Sequence, residues 1–145
     1  MKHFYTITAL FILLCLPCAA ETTAEIEMTD DEQTLFSLIN EQRIKSKLPP
    51  LIFDAEILQD CREWAEQLHR ERRLYHWHGG KENCARGYTT PRSAFLGWRS
   101  SQGHNAFLHN RVIKYAAVAE YGNYWVFRGA TDKEEYRERK ERKIR

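Results

Sequence analysis

The segment of the sequence best suited to chemistry lies between His76 and Asn83, and it combines two histidines, two glycines and one acid. Imidazole nitrogens and carboxylate oxygens are ligands for zinc and similar divalent cations, so His76, His78 and Glu82 are candidate ligands. His104 follows a predicted helix end and can join them only if the fold brings it close. The spacing fits no standard metal motif. These residues alone leave open a second interpretation, with one histidine exposed and another hydrogen-bonded in the core.

Other kinds of catalytic site are not indicated by the sequence. Ser100 and Ser101 lie close to His104, but no strained glycine-x-serine-x-glycine turn surrounds them, and cap or turn positions explain both serines. No glycine-rich phosphate-binding loop is present. The sequence therefore predicts no catalytic residue.

The elements that must position these residues are helices in the first part of the chain and strands near its end. A capping box at Thr29 begins a first helix, and Asp54 caps a second helix with a clear apolar period. Thr90 begins a third helix, which has proline at its first position. Two β-branched and aromatic runs, 112–119 and 124–128, flank a glycine-asparagine turn and predict an antiparallel hairpin. Helices first and a hairpin last within one core indicate an α+β fold.

Three segments give weaker signals. Residues 74–86 have neither a helical nor a strand period. Ser101 to His104 breaks the third helix before a short turn that ends at Leu108. The charged segment 131–145 predicts either a solvated helix or a frayed tail.

The composition and the amino terminus indicate a protein that leaves the cytoplasm. A chain of 145 residues with 43% hydrophobic and 29% charged residues is typical of one globular domain. Residues 1–20 predict a secretory signal peptide, with a retained membrane anchor as the alternative, and residues 21–32 form an acidic leader. A net charge of +2 is too small to indicate nucleic-acid binding. We therefore expect a secreted protein, extracellular or periplasmic, without a transmembrane segment after cleavage.

Cleavage of the signal peptide would leave two of the four cysteines, Cys61 and Cys84. An oxidising compartment favours disulfides, and a bond that closes this loop of roughly 24 residues would stabilise the fold by about 3 kcal/mol. Cys61, however, lies on the apolar stripe of the second helix, a position typical of a structural thiol. The sequence leaves open both a Cys61–Cys84 disulfide and two buried thiols.

Five sequence elements, in order along the chain, resemble the CAP superfamily (cysteine-rich secretory proteins, antigen 5 and plant pathogenesis-related proteins). They are Leu38–Arg43 with its proline stop, the second helix, His76 followed by Glu82–Gly87, Trp98–His104, and the hairpin. Glu82–Gly87 resembles the family's glutamate-asparagine-x-alanine-x-glycine signature, and Trp98–His104 resembles the tryptophan-x-x-serine-x-glycine-histidine element of short bacterial members. The resemblance covers about residues 33–130. It implies an α-β-α sandwich with a small antiparallel sheet between helical layers.

The resemblance also implies a cleft with two histidines and two acids, which binds a divalent metal in several members of the family. Residue by residue, His76 matches the first histidine, Glu82 the first acid and His104 the second histidine. His78 is a rival for the first position, but His76 follows an apolar-aromatic pair, as the family's histidine does. The second acid belongs near Trp98, where an arginine and two serines stand instead. His76 and His104 thus remain the implied metal ligands, with Glu82 beside them.

By the same resemblance, the chain is expected to bind an extracellular protein, a lipid or a small ligand across this cleft. No cofactor is required, and zinc or another divalent cation is a candidate ligand. Asn83 and Trp98 are expected to have structural roles. The alternatives are a metal-assisted protease or esterase, with Glu82 as general base, and a lipid- or sterol-binding protein.

Overall fold

The structure, a computed structural model, describes residues 26–76 and 81–144. The predicted signal peptide and His78 lie outside the described residues, so both remain predictions. Within the described ranges, no helix is both long enough and apolar enough to cross a membrane.

The described residues form helices on both sides of one small sheet. The elements are α1 Asp30–Lys45, β1 Ile52–Phe53, α2 Ala55–Glu71, β2 Glu82–Arg86, α3 Pro91–Ser100, α4 Gln102–Leu108, β3 Tyr115–Tyr121, β4 Tyr124–Ala130 and α5 Lys133–Ile144. The strand order is β1-β3-β4-β2, and β2, β4 and β3 are antiparallel neighbours. The two-residue β1 pairs parallel with β3, and the long connection that this requires contains α2, β2, α3 and α4. The α+β sandwich is therefore confirmed, while the sheet is mixed and not purely antiparallel.

The predicted helix starts are confirmed by their capping hydrogen bonds. The Thr29 amide donates to Glu32, whose own amide donates to the Thr29 hydroxyl, which completes a capping box. Asp54 accepts hydrogen bonds from two amides of the first turn of α2, each over 3.1 Å. Thr90 caps α3 through Ser93. These contacts join residues two or three positions apart, which is why the sequence reveals them.

The sheet separates two apolar cores, because alternate strand residues face opposite helical layers. The first core lies between the sheet and helices α1 and α3, and includes Ile39, Trp98 and Phe127. The second core lies between the sheet and α2, and includes Leu58 and Val126. The buried Trp98 ring lies 6.2 Å from the Phe127 ring.

The structure shows the secondary structure of the three segments that have weak signals in the sequence. The segment without period, 74–86, ends in strand β2, whose first four residues are buried. The sequence does not predict strand β2, because the strand pairs with β4, about forty residues further along the chain, and is buried on both faces. The expected turn through Leu108 is helix α4. The carboxyl-terminal segment is helical, and the buried Tyr136 docks it against α2 and β4.

Candidate functional site

Strand β2 directs its first two side chains to opposite faces of the sheet. Glu82 faces the α2 layer, where it contacts Arg128, its register partner on β4. Asn83 faces the other layer, where its amide nitrogen donates to the main-chain oxygen of His104 on α4 over 3.0 Å. One strand therefore positions the acid of the candidate site and also fixes the helix that carries the second histidine.

The Glu82 carboxylate is buried and held at both oxygens. Its side chain is 1% exposed, and Oε2 accepts a hydrogen bond from Nε of Arg128 over 2.9 Å. Oε1 lies 3.3 Å from Nδ1 of His76 and accepts a hydrogen bond from Sγ of Cys84 over 3.3 Å. A buried carboxylate remains charged at low cost only when it is paired in this way. Glu82 is thus a fixed, charged anchor for the residues around it.

His76 differs from Glu82 in its exposure to solvent. Its side chain is 59% exposed, although Nδ1 lies within 3.3 Å of the buried carboxylate. Contact with Glu82 orients the ring, while the rest of the imidazole faces outward. His76 is therefore the most solvent-exposed group of this site.

His104 lies beside His76, as the resemblance implies. The two ring centroids are 6.4 Å apart, with an angle of 56° between the planes. Burial, followed by the charge of the nearby His76, lowers the pKa of His104 below its usual 6.5. A neutral imidazole is the form that binds a metal ion. The fold thus brings His76, Glu82 and His104 into one neighbourhood, and ligand binding there stays a prediction.

Cys84 is a further member of the site. From the sequence it is predicted only to form a disulfide or to be a buried thiol. One ligand atom from each of His76, Glu82 and Cys84 lies within 4.8 Å of the other two. Because strand side chains alternate, residues 82 and 84 share a face, and this spacing is the signal that identifies Cys84 once β2 is known to be a strand. Burial, together with the charge of Glu82, raises the pKa of the Cys84 thiol. Its thiol is therefore protonated unless a cation displaces the proton.

The sequence leaves open either a Cys61–Cys84 disulfide or two buried thiols, and the structure has two buried thiols. Cys61 and Cys84 are both buried and free, so the disulfide is not formed. Each thiol has its own partner: Sγ of Cys61 donates to the main-chain oxygen of Ala117 over 3.6 Å, and Cys84 contacts Glu82. Burial raises the pKa of Cys61 to about 12. Both thiols are thus poor nucleophiles in the folded protein.

Glu82 is held in place by a set of hydrogen-bonded residues that the sequence does not identify. Arg128 joins Glu82 to the second helix, because its Nη1 also donates to the main-chain oxygen of Asp60 over 3.3 Å. The Asp60 carboxylate accepts hydrogen bonds from Tyr136 and Lys140 of α5. A chain of polar contacts thus runs from α5 through Asp60 and Arg128 to Glu82. No local pattern identifies these residues, since the partners in each of these contacts are separated by more than forty positions.

Comparisons with known proteins agree with this fold. The model of the cysteine-rich secretory protein (CAP) family matches residues 36–133. An extracellular protein with an SCP domain from Bacillus anthracis has a TM-score of 0.66 and 19% identity, with 70% of this chain and 40% of that chain covered. An outer surface protein from Borrelia burgdorferi has a TM-score of 0.63 and 22% identity, with 74% of this chain and 97% of that chain covered.

A cysteine-rich secretory protein from Staphylococcus aureus has a TM-score of 0.55 and 17% identity, with 70% of this chain and 38% of that chain covered. This chain therefore spans less than half of the Bacillus and Staphylococcus proteins that it resembles. A search of curated proteins found no significant match. At these identities, the similarity to solved structures supports the fold and does not assign a function.

Proposed function

This chain belongs to the CAP family of cysteine-rich secretory proteins, and from that premise we propose that it is an extracellular binding protein whose ligand contacts His76 and His104. The description of its structural relatives as extracellular, outer surface or secretory proteins supports the location. The predicted signal peptide at residues 1–20 supports it independently.

The observation that carries the proposal is the contact between an exposed imidazole and a buried carboxylate. His76 is 59% exposed, Glu82 is 1% exposed, and their nearest polar atoms are 3.3 Å apart. A recognition group that is oriented by a fixed partner loses little conformational entropy when a ligand arrives. With His104 beside it, this surface offers two imidazoles to one ligand.

The chemistry of the donor set fits a divalent cation, and zinc is the first candidate. Zinc takes histidine nitrogen, carboxylate oxygen and cysteine sulfur, and its tetrahedral ligands lie about 3.5 Å from one another. The separations of up to 4.8 Å among the His76, Glu82 and Cys84 donors would need to contract by only about 1 Å. His104 is the fourth candidate donor. We propose that zinc, where present, is held by His76 and His104 with Glu82 or Cys84.

The same geometry counts against a hydrolase. A general base needs a carboxylate oxygen that is free to take a proton from water. Both oxygens of Glu82 already accept hydrogen bonds, one from Arg128 and one from Cys84. A base that takes up a proton loses its charge, so recruiting Glu82 would remove its ion pair with Arg128, whereas ligation of a cation keeps the carboxylate charged.

Calorimetric titration with zinc chloride tests the proposal. We expect binding by the wild type, weakened about tenfold or more in His76→Ala and His104→Ala. Cys84→Ser decides whether the thiol is a ligand, and His78→Ala decides between the two neighbouring histidines. His109→Gln is the matched control, because His109 lies just after α4 and bonds Asn105 and Ser46, away from the site. Circular dichroism confirms that each variant is folded.

The outcomes separate the alternatives. Zinc affinity that is unchanged in both His76→Ala and His104→Ala, or absent from the wild type, contradicts a metal at this site. Hydrolysis of a panel of peptides and esters that is lost with chelator and in His104→Ala would instead favour a metal-assisted hydrolase.

A further inference from the structure

A cavity of about 420 Å³ lies at the far end of β2 from Glu82, four residues or about 13 Å along the strand. It is formed where the end of α2, the end of β2 and the β3–β4 turn meet. We call it the hairpin cavity and define it by His69, Arg72, Arg86, Gly122, Asn123 and Tyr124. Its size falls in the range of small-ligand sites in proteins. It shares no residue with the His76 site.

Two guanidinium groups of the hairpin cavity, those of Arg72 and Arg86, form no ion pair with an acid in the described part of the chain. Among the described residues, neither Arg72 nor Arg86 lies within 4.0 Å of an acidic oxygen, whereas Arg62 and Arg137 each form an ion pair. Glu120, the acid on this hairpin, accepts a hydrogen bond from the main-chain nitrogen of Asn123 and so lies at the turn. Two arginines against this one carboxylate give the charged groups of the cavity and turn a net positive charge.

Arg86 is held in place before any ligand arrives. Its Nη1 donates to the main-chain oxygen of Arg72 over 3.2 Å, and its guanidinium lies 5.2 Å from the centroid of the Tyr124 ring. Arg72 ends α2 in the left-handed conformation, with φ of 52°. The two arginines are therefore tied to each other through the main chain at one rim of the cavity.

His69 and Gly122 also line the cavity. The His69 ring lies 5.2 Å from the Tyr121 ring and 5.8 Å from the Tyr124 ring, and its Nδ1 lies 3.3 Å from the Gly122 oxygen. Gly122 has φ of +56°, and a Cβ atom there would lie 2.1 Å from Nδ1 of His69. Only glycine permits this approach. The turn is thus in close contact with the end of α2.

We propose that the hairpin cavity is a second binding site, for a ligand that carries an oxyanion such as a phosphate or sulfate group. Guanidinium groups match such groups geometrically, because their planar N–H forks form paired hydrogen bonds to two oxygens. Arg72 and Arg86 bind the anion between them, and the aromatic wall accommodates the group attached to it. The site goes beyond the proposed function, and its test does not depend on the His76 site.

Titration of the wild type with inorganic phosphate and with sulfate, followed by NMR, tests the site. We expect saturable shifts at Arg72, Arg86 and the turn, with affinity about tenfold or more weaker in Arg72→Gly and Arg86→Gln. Glycine suits the left-handed backbone at position 72, so Arg72→Gly removes the charge without straining the fold. Arg92→Gln is the matched control, since Arg92 is an exposed arginine on α3. His76→Ala should leave phosphate binding unchanged.

The same variants distinguish the two sources of such an anion. Vesicles of phosphatidylcholine, with and without phosphatidylglycerol, test for a lipid headgroup. Retention on the anionic vesicles that is lost in Arg72→Gly and Arg86→Gln, but kept in Arg92→Gln, assigns the anion to a lipid. Binding of inorganic phosphate without vesicle binding assigns it to a soluble ligand. Binding of neither probe, or a loss of affinity that Arg92→Gln shares, overturns the proposal.

Discussion

The side-chain amide of Asn83 donates a hydrogen bond of 3.0 Å to the main-chain oxygen of His104. This contact ties β2 to α4 on one face of the sheet, while Glu82, the preceding residue, anchors His76 on the other side of the strand. The two histidines of the candidate site are thus positioned by adjacent residues of one strand. Their relative placement therefore depends on the position of β2 in the sheet.

Substitution of Asn83 by alanine should therefore loosen the His104 side of the site. The residue is buried, and we expect a loss of about 1–2 kcal/mol in the free energy of unfolding, measured with urea. Asn40→Ala is the matched control, because Asn40 makes similar side-chain contacts to the main chain of Leu51. Only Asn83→Ala should shift the NMR signals of the His104 ring. A His104 spectrum unaltered in Asn83→Ala would contradict this role.

Removal of Arg128 should be more costly than removal of Asn83. Arg128→Met leaves the buried Glu82 carboxylate without its closest cationic partner, and breaking a buried ion pair from one side costs about 3–5 kcal/mol. The double variant Glu82→Gln with Arg128→Met also removes the charge with which Arg128 pairs, so we expect it to be more stable than Arg128→Met alone. Urea denaturation of the wild type, both single variants and the double variant measures this coupling. Additive losses would show that the two residues act independently.

Asp54 should make stability depend on pH in the acidic range. Burial alone would raise its pKa, but hydrogen bonds from Lys133 and from two α2 amides outweigh burial and lower the pKa below the usual 3.8. Because the folded state binds this proton more weakly than the unfolded chain does, the contribution is present above about pH 4 and is lost as pH falls through the lowered pKa.

The substitution Asp54→Asn provides the matched control, since it retains a helix-capping acceptor and removes the titrating group. Unfolding free energies measured between about pH 2 and 6 should fall less steeply in Asp54→Asn than in the wild type. Identical pH profiles for the two proteins would contradict the assignment to Asp54.

The two buried thiols should resist modification in the folded protein. Burial raises the pKa of both Cys61 and Cys84, so little thiolate is available to attack an alkylating reagent. We expect iodoacetamide to label neither cysteine under native conditions and both after denaturation, as read by mass spectrometry. Rapid native labelling, or a non-reducing peptide map that joins Cys61 to Cys84, would contradict the structure.

The sequence by itself determines the features whose cause is local. The helix starts at Thr29, Asp54 and Thr90 depend on side chains that bond amides two or three residues away, and the hairpin turn depends on two adjacent residues, Gly122 and Asn123. The apolar period of α2 is local in the same sense. The resemblance to the CAP superfamily also predicts that His76, Glu82 and His104 lie close together. No spacing along the chain could establish this.

Tertiary structure alone decides the features whose cause is a distant partner. Strand β2 is a strand because it pairs with β4, and Glu82 is held by an arginine 46 positions away. That pairing also places the Cys84 thiol beside Glu82, and it brings Arg86 to the cavity beside Arg72. Hydrogen bonding between strands and pairing of buried charges act through space, so their partners cannot be identified from a short stretch of sequence.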